Sequence, residues 1–507
     1  MSKAFWFLTA ITVYLAAMIF VGLRSARKTR STDDFYLGGR RLGPWVTAMS
    51  AEASDMSSWL LLGLPGVALL GGLAEPVWTA LGLGIGTWLN WLIVAKPIRN
   101  YSEKIGATTI PEFFSLRFHE KTKLLSAAAA VLIIVFFVPY VASGFNACGT
   151  LFSTLFGIPY QTAMILSAAV IVCYTILGGF TAASITDLIQ SVVMSVALVV
   201  IVCFGLSLAG GTSALADNAA LPGFYHLTTT YDTASGTETS YGFLTILSTM
   251  AWGLGYFGMP HILLRFMAIK DASKLPTSRR IGTIWVFISM GVAILIGIIG
   301  RSLMQQKVVA EMSTGTESQR IIILLADLMA DKGWLLALLG GVVIAGILAS
   351  TMSTADSQLL AASSSASQNL LQDVFGLKIK EKTAMILARA TVALVAVIAV
   401  FWAWKEDSVF TIVSFAWAGF GAAFGPGVLF SLFWKRTTRI GLLAGMITGG
   451  ATIFIWKYLV RPLGGVWDLY ELLPAFVLGS LVILVVSLLT PAPSTEITEE
   501  FESVQKM

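Results

Sequence analysis

Long apolar runs separated by short polar connections repeat from one end of the chain to the other. A run of about 20 mostly apolar residues can cross a bilayer as a helix. Thirteen runs qualify, near 4–23, 44–71, 76–96, 124–152, 160–178, 188–209, 242–267, 281–303, 334–357, 384–403, 408–433, 440–459 and 470–490. The ninth keeps a helical pattern beyond its apolar part. The pattern predicts an all-α polytopic membrane protein with 13 transmembrane helices. The first run is longer than the apolar core of a secretion signal and is followed by Arg24, Arg27, Lys28 and Arg30, so a retained span is expected.

The connections sort by charge. Arg24 to Arg41, Lys96 to Lys123, Arg265 to Arg280, Lys378 to Lys382 and Lys435 to Arg439 are basic and alternate along the chain, so they share one side. Short basic loops mark the cytoplasm, which puts the N-terminus outside and the C-terminus inside. The long connection from Gly210 to Tyr241 has no Lys or Arg and carries Asp217, Asp232 and Glu238, as an outer loop would. Thr109 and Glu112 have capping-box spacing with Pro111 between them, predicting a short interfacial helix over Pro111–Phe118. Residues 1–491 form one membrane domain; the acidic tail 492–507 is expected to be cytoplasmic and without fixed structure, and no catalytic or sensor domain accompanies it.

Two spans break their own pattern. The second contains SAEASDMSSWLLLGLPG (50–66) and runs inside to outside. The seventh reads STMAWGLGYFGMPHILLRF (248–266), interrupted by Gly253, Gly255, Gly258 and Pro260, and runs outside to inside. Interrupted spans five apart and opposite in direction are the signature of an inverted-repeat, discontinuous-helix architecture.

Composition sharpens this picture. Hydrophobic residues make up 56% of 507 and charged residues only 12%, against about 25% charged in soluble domains. The net charge of +5 resides in membrane loops, so no nucleic-acid partner is implied. Cys148, Cys173 and Cys203 lie in apolar runs without ligand spacing. With three histidines, no GxxxxGK loop and no HExxH, neither an ATP-driven pump nor a metalloprotease is indicated.

A charged side chain at mid-membrane costs about 2.5 kcal/mol or more, so the polar residues of the broken spans need a purpose. Where Ser, Gly and Pro loosen the second span, carbonyls near Ala53 and Met56 become free to line a cavity or hold an ion. In GILASTMSTADSQLL (346–360), Ser350, Ser353, Thr354 and Ser357 fall at i, i+3, i+4 and i+7 on one helix face. Facing carbonyls and hydroxyls supply the neutral oxygens a hard monovalent cation takes; packing, with hydroxyls bonded to their own helix, is the competing explanation. Asp55 lies mid-span, suited to organising such a site. Glu52 and Asp356 are expected to pair with polar neighbours nearer the cytoplasm, and Asp187 either stabilises a helix N-terminus or stands on the ion exit route. Trp59, Tyr140, Trp252 and Tyr256 sit beside breaks or mid-span, placed either for packing or to clasp a small ring.

At YLGGRRLGPWVTAMSAEASDMSSWLLLGLPG, LGGFTAASITD, MAWGLGYFGMPHILLRFMA, ILASTMSTADSQLL and SFAWAGFGAAFGP, spread over residues 36–426, the chain resembles the solute:sodium symporter family, in particular its proline-transporting branch. The resemblance implies a LeuT-type fold with two five-span inverted repeats, about 44–209 and 242–433, and peripheral helices at 4–23, 440–459 and 470–490. It implies one Na+ held by the carbonyls of Ala53, Met56 and Ser350 and the hydroxyls of Ser353 and Thr354, with Asp55, Asp187 and Asp356 accessory to the ion path. Ser57, Ser58, Trp59, Tyr140, Trp252, Tyr256 and Pro260 then match the proline-site and gating positions. Ser58 departs from the pattern, since family members often carry Gly there. The expectation is Na+-coupled uptake of L-proline by alternating access in the cell membrane, with no enzymatic activity. A Na+-coupled carrier of another small organic solute is the alternative. Nothing in the chain sets an oligomeric state, and a monomer is compatible with it.

Overall fold

Apolar residues all round a helix require lipid or other helices on every side, and inside a bilayer each backbone polar group must be satisfied within the protein. The computed structural model describes residues 2–26, 32–377 and 379–507 and is helical almost throughout. Arg27, Lys28, Arg30 and Lys378, read above as loop charges, lie outside the described residues. The helices are α1 (Lys3–Ala26), α2 (Pro44–Asp55), α3 (Trp59–Gly71), α4 (Ala74–Lys104), α5 (Ile110–Arg117), α6 (Leu124–Phe156), α7 (Tyr160–Ile176) and α8 (Gly178–Ala209). After a two-stranded hairpin, β1 (Thr229–Asp232) and β2 (Thr237–Ser240), come α9 (Phe243–Gly258), α10 (Pro260–Ala268), α11 (Ala272–Gln305) and α12 (Trp334–Val374). The chain ends with α13 (Lys382–Trp402), α14 (Val409–Phe433), α15 (Arg439–Leu463), α16 (Leu472–Leu489) and α17 (Thr495–Gln505). Among the described residues ten helices are long and apolar enough to cross a membrane, eleven if the bent pair α2 and α3 counts as one span; α7 and α9 are shorter apolar helices.

Both breaks expected from the sequence are present. The axes of α2 and α3 differ by 58°. Met56 leaves helical geometry (φ −73°, ψ 69°), and the Ser57 N–H turns back to the Asp55 carbonyl at 2.7 Å. In the other broken span the last turns of α9 tighten into a 3-10 helix, Met259 is extended (φ −78°, ψ 107°), and Pro260 opens α10 at a first-turn position where its missing N–H costs nothing. The helices α7 and α8 meet at Gly179, whose φ of 66° lies in the left-handed region that glycine tolerates. Where α4 crosses α9 the backbones touch: a Cβ on Gly86 would stand 2.3 Å from the Gly253 carbonyl oxygen. Small residues permit that approach.

The α2 and α10 halves of the two broken spans are tied together. The Leu42 N–H donates to the Ala268 carbonyl (3.1 Å) and the Lys270 N–H to the Leu42 carbonyl (3.0 Å). Arg40 caps the Met267 carbonyl (2.6 Å) and Arg99 the Ile269 carbonyl (2.7 Å). The start of α2 and the end of α10 therefore form one unit.

Two local expectations need correcting. Thr109 does cap α5, accepting from the Glu112 N–H at 3.2 Å, but the Glu112 carboxylate reaches back one residue further, to the Thr108 N–H at 2.8 Å. The tail is not structureless: 495–505 is the helix α17, with Phe501 and Val504 buried. The Arg117 guanidinium lies 5.0 Å above the Phe501 ring, Lys435 pairs with Glu502 at 2.9 Å, and Gln505 donates to the Leu432 carbonyl at 2.7 Å.

Candidate functional site

The break between α2 and α3 exposes carbonyls that a regular helix would use internally. The Ala53 carbonyl accepts from the Ser353 hydroxyl (2.7 Å) and from Thr354 Oγ1 (3.4 Å), so α12 meets α2 through the two hydroxyls singled out by their spacing. Both hydroxyls also reach the Ser350 carbonyl at 3.2 Å, one turn earlier in their own helix. The structure thus brings Ala53, Ser350, Ser353 and Thr354 to one point, all buried, with Met56 at the adjacent end of α2. Self-bonding and a cross-helix site coexist here rather than compete. The donor set is neutral oxygen throughout, the chemistry that suits a hard, weakly charged cation rather than a soft one.

One turn on, Asp55 is used at both ends. Its carbonyl accepts from Trp59 Nε1 (3.2 Å) and the Tyr140 hydroxyl (3.4 Å); its carboxylate Oδ2 accepts from the Tyr256 hydroxyl, while Oδ1 has no partner among the described residues. Tyr256 comes from α9, so this carboxylate joins the two broken spans at their breaks. Asn90 on α4 supports the tyrosine by donating to its carbonyl at 3.0 Å. The Trp59 and Trp252 rings lie 6.0 Å apart. Ser57 accepts weakly from the Trp59 N–H at 3.4 Å, and the buried Ser58 hydroxyl has no partner among the described residues. Pro260 opens α10, and the next residue, His261, lies against Phe137 and Tyr140.

Several residues complete this aromatic cluster that the sequence did not single out. Phe410 and Tyr470 flank Trp252 at 5.1 and 5.5 Å, the latter stacked. Trp417 meets the Tyr256 ring edge-on at 5.0 Å and donates to the Trp252 carbonyl at 2.7 Å. They come from α14 and from the connection before α16, far away in the chain. Trp417 lies in one of the stretches carrying the family resemblance, which was the one available signal.

Toward the other end of α2 lies a polar cluster. Asp187 sits eight residues past Gly179, roughly two turns into α8 and beyond the reach of a helix N-terminus. Its Oδ2 accepts from the Ser50 hydroxyl (2.6 Å) and from Arg265 (3.2 Å), a pair only 1% and 0% exposed. Arg265, which the loop-charge count assigned to a basic connection, is therefore an interior residue. Asp356 accepts from the Ser357 hydroxyl at 3.3 Å, and Glu52 from Trp91 Nε1 at 2.7 Å, both as polar rather than ionic pairs. Glu52, Asp55, Asp187 and Asp356 are all buried, and among the described residues only Asp187 forms an ion pair, with Arg265; buried carboxylates without a paired cation favour occupancy by one.

Residues 35–449 match the Sodium:solute symporter family. The high-affinity proline transporter PutP of Bacillus subtilis (strain 168) is 41% identical over 493 residues, covering 96% of this chain and 99% of that protein. The sodium/proline symporter of Escherichia coli (strain K12) is 39% identical over 496 residues, covering 97% and 95%. Among solved structures, a Na+-coupled sialic acid symporter in a substrate-bound, outward-open state superposes with a TM-score of 0.77 at 18% identity, covering 96% of this chain and 99% of that one. Its fold is therefore shared. On the extent of the match and the near-complete overlap with its relatives, the chain belongs to the sodium:solute symporter family.

Proposed function

We propose that the chain is a secondary active transporter that carries Na+ and L-proline together into the cell across the cell membrane. The observation that carries this is the convergence of the Ser353 and Thr354 hydroxyls on the Ala53 carbonyl at a helix break. Na+ is the co-transported substrate; Ala53, Met56, Ser350, Ser353 and Thr354 hold it, and Asp55, Asp187 and Asp356 shape its path. Proline occupies the adjoining break, with Ser57, Ser58, Trp59, Tyr140, Trp252, Tyr256 and Pro260 around it; Trp and Tyr faces pack the ring while backbone N–H groups freed at the break take the carboxylate.

The architecture that serves this function has thirteen spans, counting α2 with α3 and α9 with α10 as single broken spans. Two inverted repeats occupy about 44–209 and 242–433 within a membrane domain of 1–491, flanked by the peripheral spans 4–23, 440–459 and 470–490. The N-terminus is outside and the tail 492–507 cytoplasmic. Na+ enters from outside and pins α2 against α12, which orders the break and completes the proline pocket; the inner halves of the broken spans then swing to release both. Coupling requires Na+ to favour the substrate-ready arrangement by about 1–3 kcal/mol.

One observation favours a different solute. Ser58 places beside the pocket a buried hydroxyl with no partner among the described residues, and such a group rewards a substrate that bonds to it. Uptake of labelled proline in whole cells, with and without Na+ and against a panel of unlabelled amino acids, carboxylates and sugars, tests both versions. The proposal predicts Na+-dependent uptake competed best by proline; efficient competition by another solute, with proline ineffective, would transfer the function to that solute.

A further inference from the structure

Two bodies meet at the inner end of the ion path. One is the unit formed by α2 and α10, held by the Leu42 backbone bridge and the Arg40 and Arg99 caps. The other is α8 against α12. Among the described residues a single ion pair joins them, Arg265 of α10 to Asp187 of α8.

Arginine presents five N–H donors in a rigid planar fork and keeps its charge at any physiological pH. Here all three nitrogens donate, making four bonds. Nε donates to the Ser50 hydroxyl (3.0 Å), one terminal nitrogen to the His261 carbonyl (2.9 Å), and the other to Asp187 (3.2 Å) and to the Ser357 hydroxyl. The Phe180 ring covers the guanidinium face at 5.0 Å. Ser357 in turn donates to the Ser353 carbonyl at 2.9 Å, one turn from the hydroxyls that meet Ala53. The guanidinium thus touches both bodies and lies one hydrogen bond away from the candidate cation site.

We propose that Arg265 is a positioning residue that acts as a built-in cation closing the cytoplasmic exit: it occupies Asp187 while the inner halves are together, and gives that carboxylate up only when α2 and α10 swing away. Na+ leaving the α2–α12 site then finds Asp187 available only after the closed arrangement has broken. The exit is thereby timed to the same movement that releases the substrate. The inference rests on the sodium-coupled function proposed above and assigns the residue that enforces coupling.

The test compares the parent with Arg265→Gln, Arg265→Lys and the double variant Asp187→Asn/Arg265→Gln in proteoliposomes, reading radioactive Na+ flux without proline and the ratio of proline to Na+ taken up together. Removing one member of a buried charge pair shifts such an equilibrium by about tenfold or more. We expect Arg265→Gln to raise proline-independent Na+ flux by about tenfold and to lower the coupling ratio, with Arg265→Lys between it and the parent. The double variant, which removes both members of the pair, is expected to leak as well, and it carries the test should the single variant fail to insert. A merely structural arginine would reduce the amount of active protein and leave the ratio unchanged. Parental leak and parental ratio in Arg265→Lys and in whichever glutamine variant inserts would overturn the inference. Absence of Na+-dependent uptake by the parent would instead strike at the functional proposal itself.

Discussion

Asp55 shows how much one residue is asked to do. Its carbonyl and carboxylate together collect Trp59, Tyr140 and Tyr256, three rings from three helices. Among the described residues Tyr256 is the only hydrogen-bond donor on the carboxylate, so Tyr256→Phe leaves a buried acid without one, a change worth about 1–3 kcal/mol. We predict that it weakens both half-saturating Na+ and half-saturating proline, whereas Trp252→Ala, which removes only ring contacts, weakens proline about tenfold and Na+ far less. Initial uptake rates over a grid of the two concentrations separate these effects; unaltered proline affinity in both variants would remove the pair from the pocket. The hydroxyl quartet was legible in the sequence because four oxygens at helical spacing define a face wherever the helix goes. Arg265 was not. A lone arginine at the end of an apolar run has the same local signature as a loop charge, and only the tertiary arrangement turns it inward to Asp187. Phe410, Trp417 and Tyr470 escaped for a related reason: an aromatic residue in a span carries no mark of which distant ring it will meet.

At the scale of elements, the helix breaks were foreseeable and their consequences were not. Ser, Gly and Pro weaken a helix locally, which placed the interruptions within 50–66 and over 253–260; the 58° bend and the backbone bridge between Leu42 and Ile269 depend on what packs around them. The tail was misjudged on polarity. Ile497, Phe501 and Val504 fall at i, i+4 and i+7, an amphipathic stripe that composition concealed and that docks α17 on Arg117 and its neighbours. Phe501→Ala removes the buried ring, and we predict at least about tenfold faster amide exchange across 495–505, read by mass spectrometry in detergent or nanodiscs. Acid should release the same helix. Lys435, through its hydrogen bond and its charge, holds the Glu502 carboxyl below the usual carboxylate range. A depressed value means the pair's contribution is in place above the ordinary Glu pKa of about 4.3 and disappears as pH falls through the lowered one. Exchange in α17 should therefore rise on acidification below that point, and protection that stays constant would show that the pair adds nothing to docking.

For the whole molecule the question is how a gradient becomes work. A membrane potential of about 100 mV contributes about 2.3 kcal/mol per charge, and a tenfold Na+ gradient about 1.4 kcal/mol. One Na+ per cycle can therefore sustain about 500-fold accumulation of a zwitterion, provided neither substrate crosses alone. The function proposed above has a physical basis for that condition: the oxygens that meet at Ala53, the acid that links the two broken spans, and Arg265 all touch α2 or α10. Movement of that unit is then sensed at all three places together. The central claim is that Na+ bound between α2 and α12 is what makes the proline pocket. Proline counterflow in proteoliposomes, measured against Na+ concentration with choline as the replacement cation, tests it most directly in the parent and in Ser353→Ala/Thr354→Ala. The account predicts exchange that saturates with Na+ in the parent and needs at least about tenfold more Na+ in the double variant; counterflow that persists undiminished in choline, or a double variant with the parental Na+ dependence, would contradict it.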